Sequence, residues 1–391
     1  MTKRFFTIFS LLCSLMLVGC TEPPVPSVSD EDLSQLTPTQ QELSNQYTTD
    51  YYRTIIPYES SAIRGLVYKY MSNRYDIEEF ENALMRHSQS YYSPDEVFFQ
   101  EGKLLSRDLV ISLLASKKTE AELGTLQEQD ETYVDYGLNP TTDEVLEING
   151  VTVNPVYLAY LLEQDYVTIV NDGVEVQGIS IGLALNPYQT YVNEINVEQT
   201  VQMDEEQLIE EGKKIAQQLI DILRTQDGFE NMEIMIGLYV LKEDSSVVPG
   251  NMVAKTHLSS STDKIKNWTS IDEKYYLLPD QSVQSVDFQI LDQFNQFKDE
   301  IKQYYPHYYG VIGVAQYIDK SLNKLEITVN IDFYGLAEKL SFHQLLSKLI
   351  EDNFTNQYEI TVVVRSTQEV FGLLHRGVNE NDITLKLINW E

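Results

Sequence analysis

The segment GISIGLAL, residues 178–185, alternates large apolar side chains with small ones. Because successive side chains of a β-strand point to opposite faces, this period of two predicts a strand. Asp172-Gly173 shortly before it is typical of a hairpin turn. After the strand, Asp204 is the expected N-cap of an amphipathic helix, with Gln207 as its capping-box partner. A second alternating strand is predicted over residues 232–240.

The same order of patterns returns later in the chain. Residues 311–317 predict a strand, residues 320–324 a turn, and the segment LEITVNIDF, residues 325–333, alternates strictly. Ser341 is the expected N-cap of the next helix, with Gln344 as partner, and residues 358–364 and 383–387 predict the last strands. A helix is predicted before the first strand of each half, at residues 155–164 and 286–304.

These patterns predict an α+β fold of two tandem, structurally similar units, each a largely antiparallel sheet with helices packed on one face. We expect the N-terminal unit at residues 51–258, a connection at 259–280 and the C-terminal unit at 281–391. Within the first unit, residues 63–87 predict two helices with a break near residues 73–76. Residues 119–148 are acidic and predict an irregular surface loop.

The amino terminus, MTKRFFTIFSLLCSLMLVGC, has a charged start and an apolar run that is short for a permanent membrane span. Leu17-Val18-Gly19-Cys20 is a bacterial lipobox. Residues 1–19 are therefore the predicted signal peptide, cut between Gly19 and Cys20 by the lipoprotein-processing enzymes. The Cys20 thiol is expected to carry diacylglycerol, and the fatty acyl chains, palmitate among them, anchor the protein to the extracellular face of the cell membrane. No other cofactor is expected.

The segment after the lipid is predicted to be a flexible spacer. Residues 21–50 contain four prolines, six acidic residues and no basic residue, and with Cys20 they form the predicted linker 20–50. The whole chain has 28 Lys and Arg against 60 Asp and Glu. Loss of Lys3 and Arg4 with the signal peptide leaves 26 against 60, a net charge of −34. So acidic a protein is not expected to bind nucleic acid.

The sequence offers little support for catalysis. Both cysteines lie in the first 20 residues, so the folded part can contain no disulfide and no cysteine-based metal site. Gly178-Ile179-Ser180-Ile181-Gly182 matches the G-x-S-x-G pattern of hydrolases, but Ser180 lies within a predicted strand instead of a sharp strand-to-helix turn. The five histidines show no metal-binding spacing, and His343 is expected on the polar face of its helix. No catalytic residue and no metal site is predicted.

Tyrosine is abundant, with 26 residues, and five adjacent Tyr-Tyr pairs occur. Such side chains suit contact with a glycan or a peptide, although half-buried positions in sheets and helices also explain them, and the second explanation is favoured.

Several segments together resemble the CamS-type sex-pheromone-precursor lipoproteins of Gram-positive bacteria. With the lipobox, the segments that carry the resemblance are residues 52–58 (YRTIIPY), 62–65 (AIRG), 138–140 (LNP), 157–166 (YLAYLLEQDY), 178–186 (GISIGLALN), 267–268 (NW) and 277–279 (LLP). The resemblance extends from the signal peptide to residue 391, and it is weaker in residues 119–148 and in the last strands. It implies tandem structural repeats and brings no enzymatic site.

The resemblance also implies a role for the discarded signal peptide. In this family its end is released as a short apolar peptide that induces conjugative plasmid transfer in enterococcal cells. The matching positions here are Leu12, Cys13, Ser14, Leu15, Met16, Leu17, Val18 and Gly19.

Three hypotheses therefore follow from the sequence. The first is a non-enzymatic, surface-anchored lipoprotein and sex pheromone precursor whose mature part has an unknown binding role. The second is an extracellular solute- or glycan-binding lipoprotein with its ligand, a peptide or a glycan, in a cleft between the units. The third is a surface hydrolase that uses Ser180, which burial of Ser180 in mid-strand would exclude.

Overall fold

The computed structural model describes residues 51–63, 66, 73–170 and 173–388. In this part of the chain the helices are α1 (Arg74–Ser88), α2 (Arg107–Leu114), α3 (Glu120–Gln129), α4 (Glu205–Leu223), α5 (Phe288–Tyr304) and α6 (Leu336–Asn353), with a 3₁₀ helix at Gln281–Ser285. None of the described helices is long and apolar enough to cross a membrane.

The strands form two main sheets and two small hairpins. The first sheet contains, in spatial order, β1 (Arg53–Thr54), β2 (Phe98–Glu101), β5 (Leu158–Val170), β6 (Gly173–Leu185), β9 (Ile234–Val240), β10 (Asn251–Leu258) and β11 (Thr269–Ser270). The second contains β12 (Glu273–Leu278), β13 (Gly310–Ile318), β14 (Ser321–Asn330), β15 (Glu359–Arg365), β16 (Val370–Arg376) and β17 (Thr384–Leu387). The hairpins are β3 (Leu146–Ile148) with β4 (Val151–Val153) and β7 (Tyr188–Val192) with β8 (Glu198–Gln202).

Both sheets are built around the same order of elements. In the first, β5 and β6 form an antiparallel hairpin, α4 crosses over, β9 pairs parallel to β6, and β10 returns antiparallel to β9. In the second, β13, β14, α6, β15 and β16 repeat this order with the same strand directions. A parallel pair needs a crossover connection, and a helix supplies it in both units. The predicted α+β fold of two similar units is confirmed.

The segment 178–185 lies in β6, in the middle of the first sheet. Its large side chains, Ile181 and Leu183 among them, pack with α4 in the main core of the unit. Its small side chains face α1, where the ring of Phe80 and the side chain of Leu84 lie directly over Gly182. The first sheet thus carries, in addition to the predicted helices on one face, a helix on its other face.

The second sheet packs α5 and α6 on one face only. Phe294 and Phe297 from α5 and Phe342 from α6 are fully buried in that core. On the opposite face Ile312, Thr328 and Val363 stand in register across three strands and remain at least partly exposed. This open face is the one that turns toward the first unit.

Several expectations about elements are confirmed. Asp204 caps α4 and accepts a hydrogen bond from the backbone N–H of Gln207. The helix expected at residues 286–304 is α5. Val170 pairs with Gly173 across the predicted hairpin. The second helix expected in residues 63–87 is α1, and the first falls mainly on residues outside the described ones.

The helix expected at residues 155–164 is wrong, because this segment forms the start of β5. Both faces of β5 are covered, so its apolar residues do not alternate and their spacing also fits a helix. Residues 119–148 are not an irregular loop. They contain β3 and also α3, whose start is fixed by a capping box between Thr119 and Glu122 but which buries no residue, so no apolar pattern indicated it.

Two expectations in the second unit are also wrong. Ser341 is not an N-cap, because α6 begins at Leu336 after Gly335. His343 consequently lies inside α6 and is buried beside Gly372, with Nδ1 at 2.6 Å from the carbonyl of Lys339, instead of on a polar face. The turn expected at residues 320–324 is shorter, since only Asp319 and Lys320 have positive φ and Ser321 already begins β14.

The chain passes from the first sheet to the second within residues 259–280. Strand β11 is the last of the first sheet, and β12 begins the second sheet three residues later. The limits of the units as given above stay a prediction.

Candidate functional site

A cleft of about 580 Å³ lies between the two units. Helix α1 of the first unit forms one wall, and the open face of the second sheet forms the other. The described residues that line it are Tyr51, Tyr75, Glu78, Glu79, Asn82, Met85, Arg86, Gln89, Val247, Pro249, Tyr275, Val314, Gln316, Asn323, Lys324, Glu326 and Glu359.

Helix α1 is held in place by polar contacts at its start. Asn73 caps the helix and its amide donates to the carbonyl oxygens of Glu243 and Ser246, both at 3.1 Å. The buried carboxylate of Asp76 accepts hydrogen bonds from Tyr239 and from the backbone N–H groups of Lys242 and Gly250, while burial raises its pKa. Because the inner face packs on the first sheet, the outer face of α1 points into the cleft.

An ion-pair cluster joins α1 to β12 at the floor of the cleft. The guanidinium of Arg86 lies 2.8 Å from the carboxylate of Glu79 and 3.1 Å from that of Glu273, and His87 Nε2 lies 3.1 Å from Glu273 Oε1. Burial alone would raise the pKa of Glu273, but the hydrogen bond to His87 and the charge of Arg86 lower it overall. Burial opposes the charge on Arg86, yet Glu79 and Glu273 raise the pKa of the guanidinium overall. Glu273 is only 1% exposed, so this cluster links the two units through a buried carboxylate.

The floor continues as a chain of hydrogen bonds across the second sheet. The hydroxyl of Tyr275 is bonded to Glu79 and accepts a hydrogen bond of 2.8 Å from the amide of Gln316. Asn323 then donates to Gln316 Oε1 at 3.0 Å. Burial, followed by the charge of Glu79, raises the pKa of Tyr275, so its hydroxyl stays protonated. These side chains hold each other in fixed positions, which gives the cleft a preformed polar surface.

The far wall carries one lysine between two carboxylates. Lys324 Nζ lies 2.7 Å from Glu326 and 3.7 Å from Glu359. Across the cleft, Glu78 is exposed on α1, and the rings of Tyr51 and Tyr75 are 67% and 46% exposed. Exposed phenol rings beside carboxylates and amides suit reversible binding of a polar ligand by stacking and hydrogen bonds.

Ser180 is placed where it cannot act as a nucleophile. It lies in mid-strand and is fully buried, with Oγ 2.6 Å from Ser88 Oγ, and its strand neighbours in register are Gln164 and Met235. The hydrolase hypothesis needed an exposed serine on a strand-to-helix turn, so the structure excludes Ser180 from that role.

The histidines lie apart from one another in the structure. His257 stacks on Tyr91 with ring centroids 4.4 Å apart, His307 lies 3.0 Å from Glu338, and His343 is in the second core. In the described ranges no group of three His, Cys, Asp or Glu side chains is arranged to hold a metal ion.

The tyrosine pairs divide between interior and surface. The ring of Tyr51 is exposed in the cleft, whereas Tyr52 is buried against Tyr166. Tyr92 also stacks on the ring of Tyr166, with ring centroids 4.4 Å apart. In β12, Tyr275 lines the cleft and Tyr276 packs on the second core. In both of these pairs one ring lines the cleft and the other packs on a core, so neither pair presents both rings to the cleft.

The residues predicted for lipidation, cleavage and peptide release, Cys20 and residues 12–19, lie outside the described residues. The ion pair between Arg86 and Glu273 was not predicted from the sequence, because nothing local indicates that they meet across 187 positions. The sequence did contain a signal for another buried polar site, because Glu163 and Asp165 are two acids inside an apolar run. Both are buried in β5, and the carboxylate of Glu163 accepts hydrogen bonds from the backbone N–H groups of Leu104 and Leu105.

Comparisons with known proteins agree with this architecture. The family model described as CamS sex pheromone cAM373 precursor matches residues 58–382. The crystal structure of a sex pheromone precursor from Lactobacillus salivarius subsp. salivarius UCC118 is similar, with a TM-score of 0.77, 24% identity and coverage of 89% of this chain and 99% of that one. The C-terminal domain of the sex pheromone staph-cAM373 precursor from Staphylococcus aureus gives a TM-score of 0.68 at 22% identity, and covers 82% of this chain and 98% of its own. No curated protein gives a significant sequence match.

Proposed function

The chain belongs to the CamS sex pheromone cAM373 precursor family, and from that premise we propose that it is a surface-anchored lipoprotein whose signal peptide is also the source of a pheromone. The family match over residues 58–382, joined to the lipobox at residues 17–20, carries the proposal. The family is one of pheromone precursors and is not a known enzyme family.

The anchor follows from the chemistry at Cys20. Two acyl chains give stable attachment where one gives only marginal binding. The acidic spacer that follows, residues 21–50, then separates the folded units from the bilayer. We propose a location on the extracellular face of the cell membrane, with the lipoprotein-processing enzymes as transient partners.

Cys20→Ala tests the anchor, with Cys13→Ala as the matched control because Cys13 lies in the discarded signal peptide. The Cys20 variant is expected to stay unprocessed and to incorporate no labelled fatty acid, while the Cys13 variant matures as the wild type does. Normal cleavage and lipid labelling of Cys20→Ala would contradict the lipoprotein assignment.

For the mature part we propose a non-enzymatic binding role. The observation that supports it is the cleft of about 580 Å³, with exposed tyrosine rings and an interlinked polar floor. A cleft of this volume accommodates a small polar solute or a short glycan.

Calorimetric titration of the lipid-free protein, residues 21–391, with short oligosaccharides tests this role. Tyr75→Ala removes an exposed ring of the cleft and is expected to weaken binding at least several-fold. Tyr334→Ala, which removes a 93% exposed ring that does not line the cleft, serves as the control and should leave binding unchanged. Equal effects of the two variants would exclude the cleft as the binding site.

A further inference from the structure

The charges of the cleft indicate the chemical class of its ligand, and the inference rests on the binding role proposed above. We propose that the cleft binds a hydroxyl-rich ligand that carries protonated amino groups, an amino sugar, and rejects anionic ligands. The charged groups of the lining differ in whether they are already paired within the protein.

Both cations of the lining are held by carboxylates. Arg86 is paired with Glu79 and Glu273, and Lys324 lies between Glu326 and Glu359. A phosphate or carboxylate ligand would have to displace these partners, and it would enter a lining with four carboxylates and two cations. The carboxylates of the lining would repel an anionic ligand, and the whole chain, with a net charge of −32, is strongly acidic.

A cationic ligand meets the opposite situation. Glu78 is exposed on the outer face of α1. The opposite wall carries two carboxylates, Glu326 and Glu359, against the single charge of Lys324, so that wall is also net negative. The ring faces of Tyr51 and Tyr75 attract an ammonium group through their quadrupoles. An amine placed between these walls therefore gains contacts that a neutral group in the same place would lack.

The rest of the lining favours a sugar over a basic peptide. One common way to bind an extended peptide is to add it as a strand to an open sheet edge, where backbone N–H and C=O groups are free. Here the wall is the face of the second sheet, and the backbone groups of β13 and β14 at Val314, Gln316 and Lys324 are engaged in the pairing of those strands. The amide side chains of Asn82 and Gln316 line the cleft, which suits the hydroxyl groups around a sugar ring.

Three probes of similar length separate the possibilities at mildly acidic pH: a glucosamine tetramer, its fully N-acetylated counterpart, and a trimer of lysine. By calorimetry on the lipid-free protein, the glucosamine tetramer is expected to bind at least tenfold more tightly than the acetylated tetramer, and added salt should weaken only the former. Glu78→Gln should reduce the affinity for the glucosamine tetramer several-fold and leave that for the acetylated tetramer unchanged. Glu128→Gln on the exposed helix α3 is the control and should change neither.

The outcomes distinguish this inference from the role on which it rests. Equal binding of both tetramers would overturn the charge selectivity and leave the cleft a neutral-glycan site. Tighter binding of the lysine trimer would overturn the assignment to amino sugars in favour of a basic peptide. Binding that is unaffected by Glu78→Gln and by Tyr75→Ala would place the ligand elsewhere, and no binding of any probe would overturn the inference together with the binding role.

Discussion

Gly182→Ala tests the packing that positions helix α1, and with it one wall of the cleft. A Cβ atom at this position would lie 2.5 Å from Cζ and 2.6 Å from Cε2 of Phe80, and 3.2 Å from Cδ2 of Leu84. Gly182 lies in an extended strand, so alanine meets no backbone strain there. The expected loss comes from the collision, and the reduced freedom of the unfolded chain offsets only a small part of it. Overpacking of this kind costs about 1–3 kcal/mol in the free energy of unfolding.

Urea unfolding followed by tryptophan fluorescence measures the effect, because Trp268 packs against the first core. The matched control is Gly124→Ala, since a Cβ there has no neighbour within 4 Å and the residue lies in the exposed helix α3. That variant should be more stable by up to about 1 kcal/mol, because alanine favours the helix. Adding Phe80→Leu to Gly182→Ala should restore part of the lost stability if the ring is the obstacle. An unchanged or increased stability of Gly182→Ala would show that the ring of Phe80 does not obstruct a side chain at this position.

Two further predictions concern buried carboxylates. Asp165 shares a buried site with Glu163, and burial raises the pKa of Asp165 to about 6; a raised pKa in the folded state means that stability present at low pH is lost as the pH rises through this value. Because the ordinary pKa of this carboxyl is 3.8, the wild type should lose stability between about pH 4 and pH 6 in urea titrations, and Asp165→Asn should lose less over the same range, whereas identical pH profiles would exclude the pair as the cause. Glu273→Gln should lower the free energy of unfolding by up to about 3 kcal/mol at neutral pH, because it removes the buried carboxylate that contacts both Arg86 and His87 and leaves Glu79 as the carboxylate paired with Arg86. Glu359→Gln, a more exposed partner of Lys324, should cost under about 1 kcal/mol, and equal losses in the two variants would contradict the structural role of the cluster.

The fold could be predicted where the two faces of an element differ. Strand β14 alternates Leu325, Ile327 and Val329 with polar residues because only one face of the second sheet is covered by helices. Strand β5 is covered on both faces, and its segment YLAYLLEQDY loses the alternation that would have identified it. Helix α3 was missed for the opposite reason, since it buries nothing and has only its capping box as a signal.

The site was less predictable than the fold, because it depends on contacts between distant positions. A cleft between the units was one of the hypotheses. Tyr51 and Tyr275 line it, although half-buried structural positions were favoured for the tyrosine pairs. The contact between Arg86 and Glu273 depends on how α1 packs on the first sheet and on where β12 begins the second sheet, and no local sequence pattern encodes either. His343 was misplaced because the start of α6 at Gly335 has no side-chain cap to indicate it.

Release of the end of the signal peptide as a pheromone, proposed above, can be detected by mass spectrometry of the culture medium. The medium should contain an apolar fragment that ends at Gly19 and matches LCSLMLVG, residues 12–19. The synthetic peptide should induce conjugation in enterococcal recipients, and a peptide with aspartate in place of Leu17 should not, because a charge must be desolvated in an apolar receptor groove. Absence of any fragment ending at Gly19, or a fragment to which no plasmid-bearing recipient responds, would contradict the pheromone role for this chain.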